Sequence, residues 1–526
     1  MSEFLTGKSV LIVAKKLDVL GSLRAFYSEI GATDISVASS ANMALNMLRV
    51  RPFDFCILES DLGEREKTGA QVIEEAGREG IWQATSAFLL IVPESVTRLP
   101  RDSVEFAADT FISKPLDMEK LKVRMEKLLK LKQAVYAVES VIDAGDYDKA
   151  LLLIRKLAAK YASLELYLDR LKGQLLLTMN NYEEAKGHFQ RIVEDRDLDW
   201  AYLGLGICEF KQGHYADALG RFNIVLQRTP GSLEAYEWIS KVYRCIGKNR
   251  EAQVLLEEAV KVLPTAGSIQ SGLGNVASEN SSWVVATDAF RHAVKFARHS
   301  CHQHQNNYFG LARCLQTQLS TAKTDQSAAA QEEAVRVLED VAEEYLDDDH
   351  IRFRSRLMTS ETYKRSGDIA RANSAAKHAF EAYQQLSDDK KAEELDNLIE
   401  GVEGTSVQGS VEEFKGDFNR RVYTETEWGR NNLKGMGLYR KGQFFESLCC
   451  FDKALQDVEG SPSILLNLVQ AGHEVIKRDP SRTAEVLAIC NDRLLKMSIG
   501  ALNSKQQDRY RVLSERRAEL VEKNSH

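Results

Sequence analysis

Five alanines, Ala150, Ala185, Ala218, Ala252 and Ala286, are separated by 35, 33, 34 and 34 residues. Four residues after each stands a large apolar side chain: Ile154, Phe189, Phe222, Leu256 and Phe290. A turn residue and then an aromatic precede three of the alanines, as GDY at 145–147, NNY at 180–182 and GHY at 213–215. Gly173, Gly206 and Gly274 fall on the helix before, where a small residue lets neighbouring helices approach, and Pro230 and Pro264 are 34 apart. A period of this length is one helix pair, and a pair is too small to bury its own apolar face. Stacking buries it, so this stretch must form an all-α solenoid with a long concave surface.

The spacing and pattern resemble tetratricopeptide repeats. The resemblance implies that the first helix of each pair lines the groove and that the groove takes an extended or helical peptide. On that basis Tyr167, Arg170 and Gln174 face inward in the second unit, Trp200, Leu203, Ile207 and Phe210 in the third, and Glu237, Lys241 and Arg244 in the fourth. A buried aromatic anchor with an Arg/Lys rim is the composition of a binding hot spot. The family's Lys/Asn clamp for a C-terminal carboxylate is missing, since positions 170 and 174 are Arg and Gln while 203 and 207 are Leu and Ile. Later units are less regular: Gly310 with a polar insertion, SGDIARA at 366–372, KGQFFES at 441–447, and a ninth pair over 463–497. Between them, the charges and the GVEGTSVQGS run over 386–425 read as an irregular, flexible or charged connection.

The first 115 residues follow a different rhythm. Short apolar runs at Val10–Val13, Ile35–Val37, Phe55–Leu58, Phe88–Val92 and Phe111–Ile112 alternate with helix-length segments, which predicts βα units around a buried parallel sheet. Ligands of such sheets sit at the carboxyl ends of the strands, so Ala14 and Lys15, Glu59, Val92 and Lys114 are the positions of interest. Through VLIVAKK, DFCILESDLGEREKTG and AADTFISKPLD, residues 8 to about 130 resemble the receiver domain of two-component response regulators. The resemblance implies a flavodoxin-like, five-stranded fold, in which an acidic pair binds magnesium, an aspartate accepts phosphate, a Ser/Thr and a Lys read it, and an aromatic relays the change. The matching positions here are Ala14 with Lys15, Glu59, Val92, Lys114 and Phe111, so only the lysine and the aromatic are kept. A methyl and an ammonium give Mg²⁺ no hard oxygen ligand, and phosphoryl transfer without the metal loses its main charge stabilisation. Two readings of Glu59, one methylene longer than Asp, stay open: its carboxylate pairs with Lys114 as a phosphate otherwise would, or the pocket is degenerate and the lysine merely balances Glu59 and Asp61.

From Asp117 to Asp143 there is neither glycine nor proline, and apolar residues recur at helical spacing. One helix, or two nearly continuous ones, of roughly 40 Å at 1.5 Å per residue therefore runs from the first module into the repeats. The expected domains are 1–130 receiver-like, 131–385 repeats, 386–425 the connection, and 426–526 further helix pairs.

Composition narrows the function classes. The formal net charge of −8 lacks the positive field that drives binding to phosphate backbones, against a repeat-built RNA binder. Eight scattered cysteines without a CxxC fit a reducing compartment, and no apolar run approaches the ~20 residues that span a bilayer. His299, Cys301, His302 and His304 crowd one turn, but a zinc cage needs four fixed ligands, and a solvated turn is the reading. Nucleophile-elbow, zinc-protease, phosphate-loop and dinucleotide-loop signatures do not occur, which predicts no enzyme, no cofactor and no metal. The expectation is a non-catalytic signalling adaptor or scaffold in a bacterial-type cytoplasm. By the receiver resemblance, its outer face, the fourth and fifth helices, dimerises or docks on a signalling protein. The alternatives are a phosphorylation-controlled regulator and an adaptor that delivers a target for inhibition or proteolysis.

Overall fold

The computed structural model describes residues 4–63, 67–94, 108–298, 302–319, 324–458, 460–495, 497 and 502–524. Five strands, β1 (Ser9–Val13), β2 (Asp34–Ala38), β3 (Phe55–Glu59), β4 (Ala87–Val92) and β5 (Thr110–Ser113), form one parallel sheet in the order β2-β1-β3-β4-β5. Register places Val13 beside Leu58 and Glu59 beside Ile91, so the strand ends named above share one edge. This is the doubly wound order whose switch point lies between β1 and β3. With the strands come α1 (Leu17–Glu29), α2 (Ala41–Val50), α3 (Gly69–Arg78) and α4 (Met118–Asp143). Successive strand residues face opposite sides: Val10, Ile12, Ile57 and Leu89 pack with α1 and α4, while Leu11, Val13, Leu58 and Leu90 pack with α2 and α3. Local signals start the helices, the Ser40 hydroxyl accepting the Met43 N–H and Thr68 with Gln71 forming a capping box.

Helices follow in pairs: α5 (Tyr147–Lys160), α6 (Glu165–Thr178), α7 (Tyr182–Arg196), α8 (Asp199–Lys211), α9 (Tyr215–Arg228), α10 (Leu233–Cys245), α11 (Asn249–Val262), α12 (Gly267–Glu279), α13 (Trp283–Ala297) and α14 (Gln305–Leu319). The series continues with α15 (Thr324–Glu344), α16 (Asp349–Arg365), α17 (Ile369–Gln385), α18 (Asp388–Val402), α19 (Gln408–Glu425), α20 (Glu427–Arg440), α21 (Phe444–Asp457), α22 (Pro462–Arg478), α23 (Thr483–Leu495) and α24 (Ser504–Asn524). The chain divides into two compact units, one of residues 1–209, 216–235 and 297–303, the other of residues 210–215, 236–296 and 304–526. In the first, a Cβ on Gly173 would stand 2.6 Å from the Phe189 ring, and one on Gly206 2.6 Å from Phe222. In the second, Gly274 and Gly310 meet Phe290 in the same way. The repeat is thus a phenylalanine seated against glycine on a neighbouring helix. The turn residue of each motif has its own reason, since Gly145, Asn180 and Gly213 take φ of 77°, 56° and 82°, which favours Gly and Asn.

The segment 386–425 corrects the sequence reading. It is two packed helices, α18 and α19, joined by residues 403–407. Leu395, Leu398, Val402, Val411, Phe418 and Val422 are buried, so the apolar period persists through the charges. Gly401 does not break the helix: its missing side chain makes room for Leu357, whose Cδ1 would lie 2.5 Å from a Cβ. Helical glycine costs only about 1 kcal/mol, which packing outweighs.

Candidate functional site

At the carboxyl edge of the sheet, Glu59 is 3% exposed. Its Oε2 accepts the main-chain N–H of Lys15 at 3.2 Å, and its Oε1 pairs with Lys114 Nζ. Lys114 follows β5 directly, its N–H donating to the Val92 carbonyl at 2.9 Å. Ala14 and Val92 are buried and offer no polar atom of their side chains. The Lys15 side chain lies exposed over Gly63, and Phe111 is half-buried under the Arg124 guanidinium, 5.4 Å from its ring centre. Of the described carboxylates at and after the end of β3, Glu59 is already engaged by Lys114 and Asp61 accepts the Gly63 N–H at 3.0 Å, while β1 ends on a methyl and an ammonium. The site does not fit Mg²⁺, which takes several hard oxygens. Residues 64–66 and 95–107, which include part of the motif region and the stretch where the outer-face fourth helix was expected, lie outside the described residues.

The second cluster lies where α4 meets the repeats, within the first unit. Lys132 is buried on the apolar stripe of α4 and donates from Nζ to the Ala84 carbonyl at 2.8 Å and to Glu139 Oε1 at 2.9 Å, with Asp109 Oδ1 at 3.3 Å. The Tyr167 hydroxyl of α6 donates to the same Glu139 oxygen at 2.6 Å. Near the end of α4, Asp143 accepts the N–H groups of Ala84 at 2.6 Å and Thr85 at 3.1 Å. Burial pushes the Glu139 carboxyl up to about 6 even though Lys132 and Tyr167 favour its charged form. Burial would lower the Lys132 ammonium, but Asp109 and Glu139 outweigh it and the value is raised.

Above this network opens a cavity of about 270 Å³. The α/β module contributes Trp82 and Asp109, α4 contributes Leu131 and Lys132, and the repeats contribute Tyr167, Arg170, Gln174 and Trp200. Four of the groove residues expected from sequence therefore line one space. Trp200 sets its edge against Phe189, with ring centres 6.2 Å apart. An apolar wall with a guanidinium and an amide suits one or two side chains of a bound segment.

Other expected groove positions lie elsewhere. Leu203, Ile207 and Phe210 are buried and are not among the residues that line this cavity. Phe210 packs against Tyr215 and Trp238, with ring centres 5.5 and 5.3 Å away, because a large apolar side chain gains more from covering neighbours than from facing water. Glu237 is half-buried, and Lys241 sits 4.1 Å over the Trp238 ring. Arg244 is held by Glu279 at 2.7 Å. Sequence reasoning missed Trp238, Lys132, Glu139 and Asp109. A charge on the apolar stripe of the joining helix was the available signal for Lys132. Of the histidine-rich turn, His299 and Cys301 lie outside the described residues; His302 Nε2 is 3.3 Å from Glu74 and His304 Nδ1 accepts the Asn306 N–H. Among the described residues no three His, Cys, Asp or Glu side chains gather to hold a metal ion, and no helix is long and apolar enough to cross a membrane.

The tetratricopeptide-repeat family model matches residues 170–232, the stretch that contributes most of the cavity's repeat side. A comparison with curated proteins finds no match. Among solved structures, YrrB, a tetratricopeptide-repeat protein with an unusual peptide-binding site, is 17% identical over 38% of this chain and 93% of its own, with a TM-score of 0.31. The C-terminal part of a repeat-containing protein from Cytophaga hutchinsonii is 17% identical over 51% of this chain and 98% of its own, TM-score 0.39. MamA from Desulfovibrio magneticus is 20% identical over 33% and 93%, TM-score 0.27.

Proposed function

We propose that this chain is a non-catalytic signalling adaptor of a two-component-type pathway that binds a protein partner in its helical repeats and carries a phosphorylation-independent receiver-like module. The observation that carries the reading is the cavity at the joint. One wall comes from the α/β module, another from repeat residues, and α4 is hydrogen-bonded to both. A segment seated there touches both modules at once, which is what an adaptor needs in order to couple them. Support for phosphorylation independence comes from the sheet edge, where Glu59 already engages Lys114 and Ala14 and Lys15 replace an acidic pair. Work in the cytoplasm is supported by the seven described cysteines, all of them free thiols.

The test is quantitative affinity capture with the full chain, the double variant Arg170→Ala, Gln174→Ala, and a control variant, Arg155→Ala, at an exposed position. A partner recovered by wild type and control but lost with the double variant supports the cavity as the site. Equal recovery by all three overturns it. Incubation with acetyl phosphate should leave the intact mass unchanged; a stoichiometric phosphate adduct would return the chain to the phosphorylation-controlled class.

A further inference from the structure

Within the second unit α24 lies along α22 and reaches the ends of α10 and α12. Its inward face carries Tyr510, Leu513 and Arg517, all buried. The Tyr510 hydroxyl donates to Glu279 at 3.4 Å. Arg517 donates to Asn491 Oδ1 at 3.2 Å and to the main-chain carbonyl of Arg244. Two turns earlier, Arg509 donates to Asn467 at 2.8 Å and Gln470 at 2.7 Å. Every acceptor of these two guanidiniums is neutral. Among the described residues no carboxylate lies within ion-pair distance of either, and Glu279 is already paired with Arg244.

Arginine is almost never fully buried unless it is paired, and an uncompensated buried charge is a high-energy arrangement. The bed adds to the mismatch. His473 of α22 is 4% exposed with neither ring nitrogen hydrogen-bonded, and Arg517 Nε and Glu279 Oε2 are likewise buried without partners. Burial, with Arg517 and Arg516 close by, pushes the His473 imidazole down to about 4, so it is neutral and adds no third cation. The two guanidiniums of α24 thus meet only neutral acceptors, and the Glu279 carboxylate of the bed is taken by Arg244.

We propose that α24 is a releasable helix and that an acidic segment of a partner protein takes it, pairing Arg509 and Arg517 with carboxylates. This names the partner's chemistry and rests on the adaptor reading. Residues 509, 513 and 517 share one helical face, so the freed helix offers two guanidiniums flanking Leu513. Its departure also uncovers Glu279 and Asn491.

The experiment is amide hydrogen exchange of the full chain, with decaglutamate as probe and decalysine at equal ionic strength as control. Decaglutamate should speed exchange in 504–524 and in the last turns of α10 and α12 about tenfold, decalysine should not, and Arg517→Met should abolish the response. Arg509→Met, at a half-buried site, is the second variant should Arg517→Met not fold, and it should weaken the response several-fold. Unchanged exchange with decaglutamate, an equal effect of decalysine, or a wild-type response in the variants would overturn the proposal. The capture experiment depends on α6, so its failure and the failure of this one are separate results.

Discussion

Glu59 shows how much one methylene and one neighbour decide. A carboxylate this buried is tolerable because Lys114 meets one oxygen and a main-chain N–H the other. Removing the cation leaves the charge uncompensated, which costs about 3–5 kcal/mol for a fully buried pair. The Lys114 side chain is 40% exposed, so solvent screening discounts this to about 1–2 kcal/mol. Lys114→Met should lower stability by that amount in urea titration, and adding Glu59→Gln should recover part of it. A different residue-scale test concerns the glycines. Gly206→Ala should destabilise by about 1–3 kcal/mol, since its Cβ would overlap Phe222 and overpacking has that effect. Gly187→Ala, exposed with no atom near the added Cβ, should be neutral or slightly stabilising. Glu59 and Lys114 were legible because both sit at strand ends whose meeting the βα pattern dictates. Trp238 was not, because an aromatic on a repeat helix has the same pattern whether it packs or binds.

At the scale of elements, α18 is the instructive helix. Its Glu394 accepts from His350 of α16 at 2.8 Å and lies 3.7 Å from Arg354. Burial alone would raise this carboxyl, but Arg354 and His350 hold it down at about 2, below the usual 4.5. A depressed folded value contributes stability that is present above 4.5 and lost as pH falls toward 2. Glu394→Gln should therefore lower stability at pH 7 by about 3 kcal/mol, at 1.36 kcal/mol per unit, and flatten the decline of the urea midpoint between pH 5 and 3. The sequence hid this helix because its buried acids, Glu393 and Glu394, read as solvated charge, and the His350 that pairs with Glu394 lies 44 residues away.

At the scale of the whole molecule, α4 is the element that joins the α/β module to the repeats. Lys132, Glu139 and Tyr167 tie it to the α/β module on one side and the repeats on the other. The folded value of Glu139, about 6, lies above its unfolded 4.5. The stability it contributes is full below 4.5 and is lost as pH rises through 6, about 2 kcal/mol over that window. Glu139→Gln, which mimics the protonated form, should remove this component, so that the urea midpoint of the variant declines less than that of wild type between pH 4.5 and 6.5. An unaltered wild-type slope in the variant would show that Glu139 is not the titrating group.

The sequence by itself determined the elements and their kind. Alternating apolar runs set the five strands, the 34-residue period set the helix pairs, and 27 residues without glycine or proline set the joining helix, because burial of a periodic apolar face depends only on local spacing. What tertiary structure alone decided was the fate of polar and charged side chains. Whether Arg170 lines a cavity, Glu394 finds a cation or Arg517 finds none depends on groups tens to hundreds of residues away, and no local spacing encodes them.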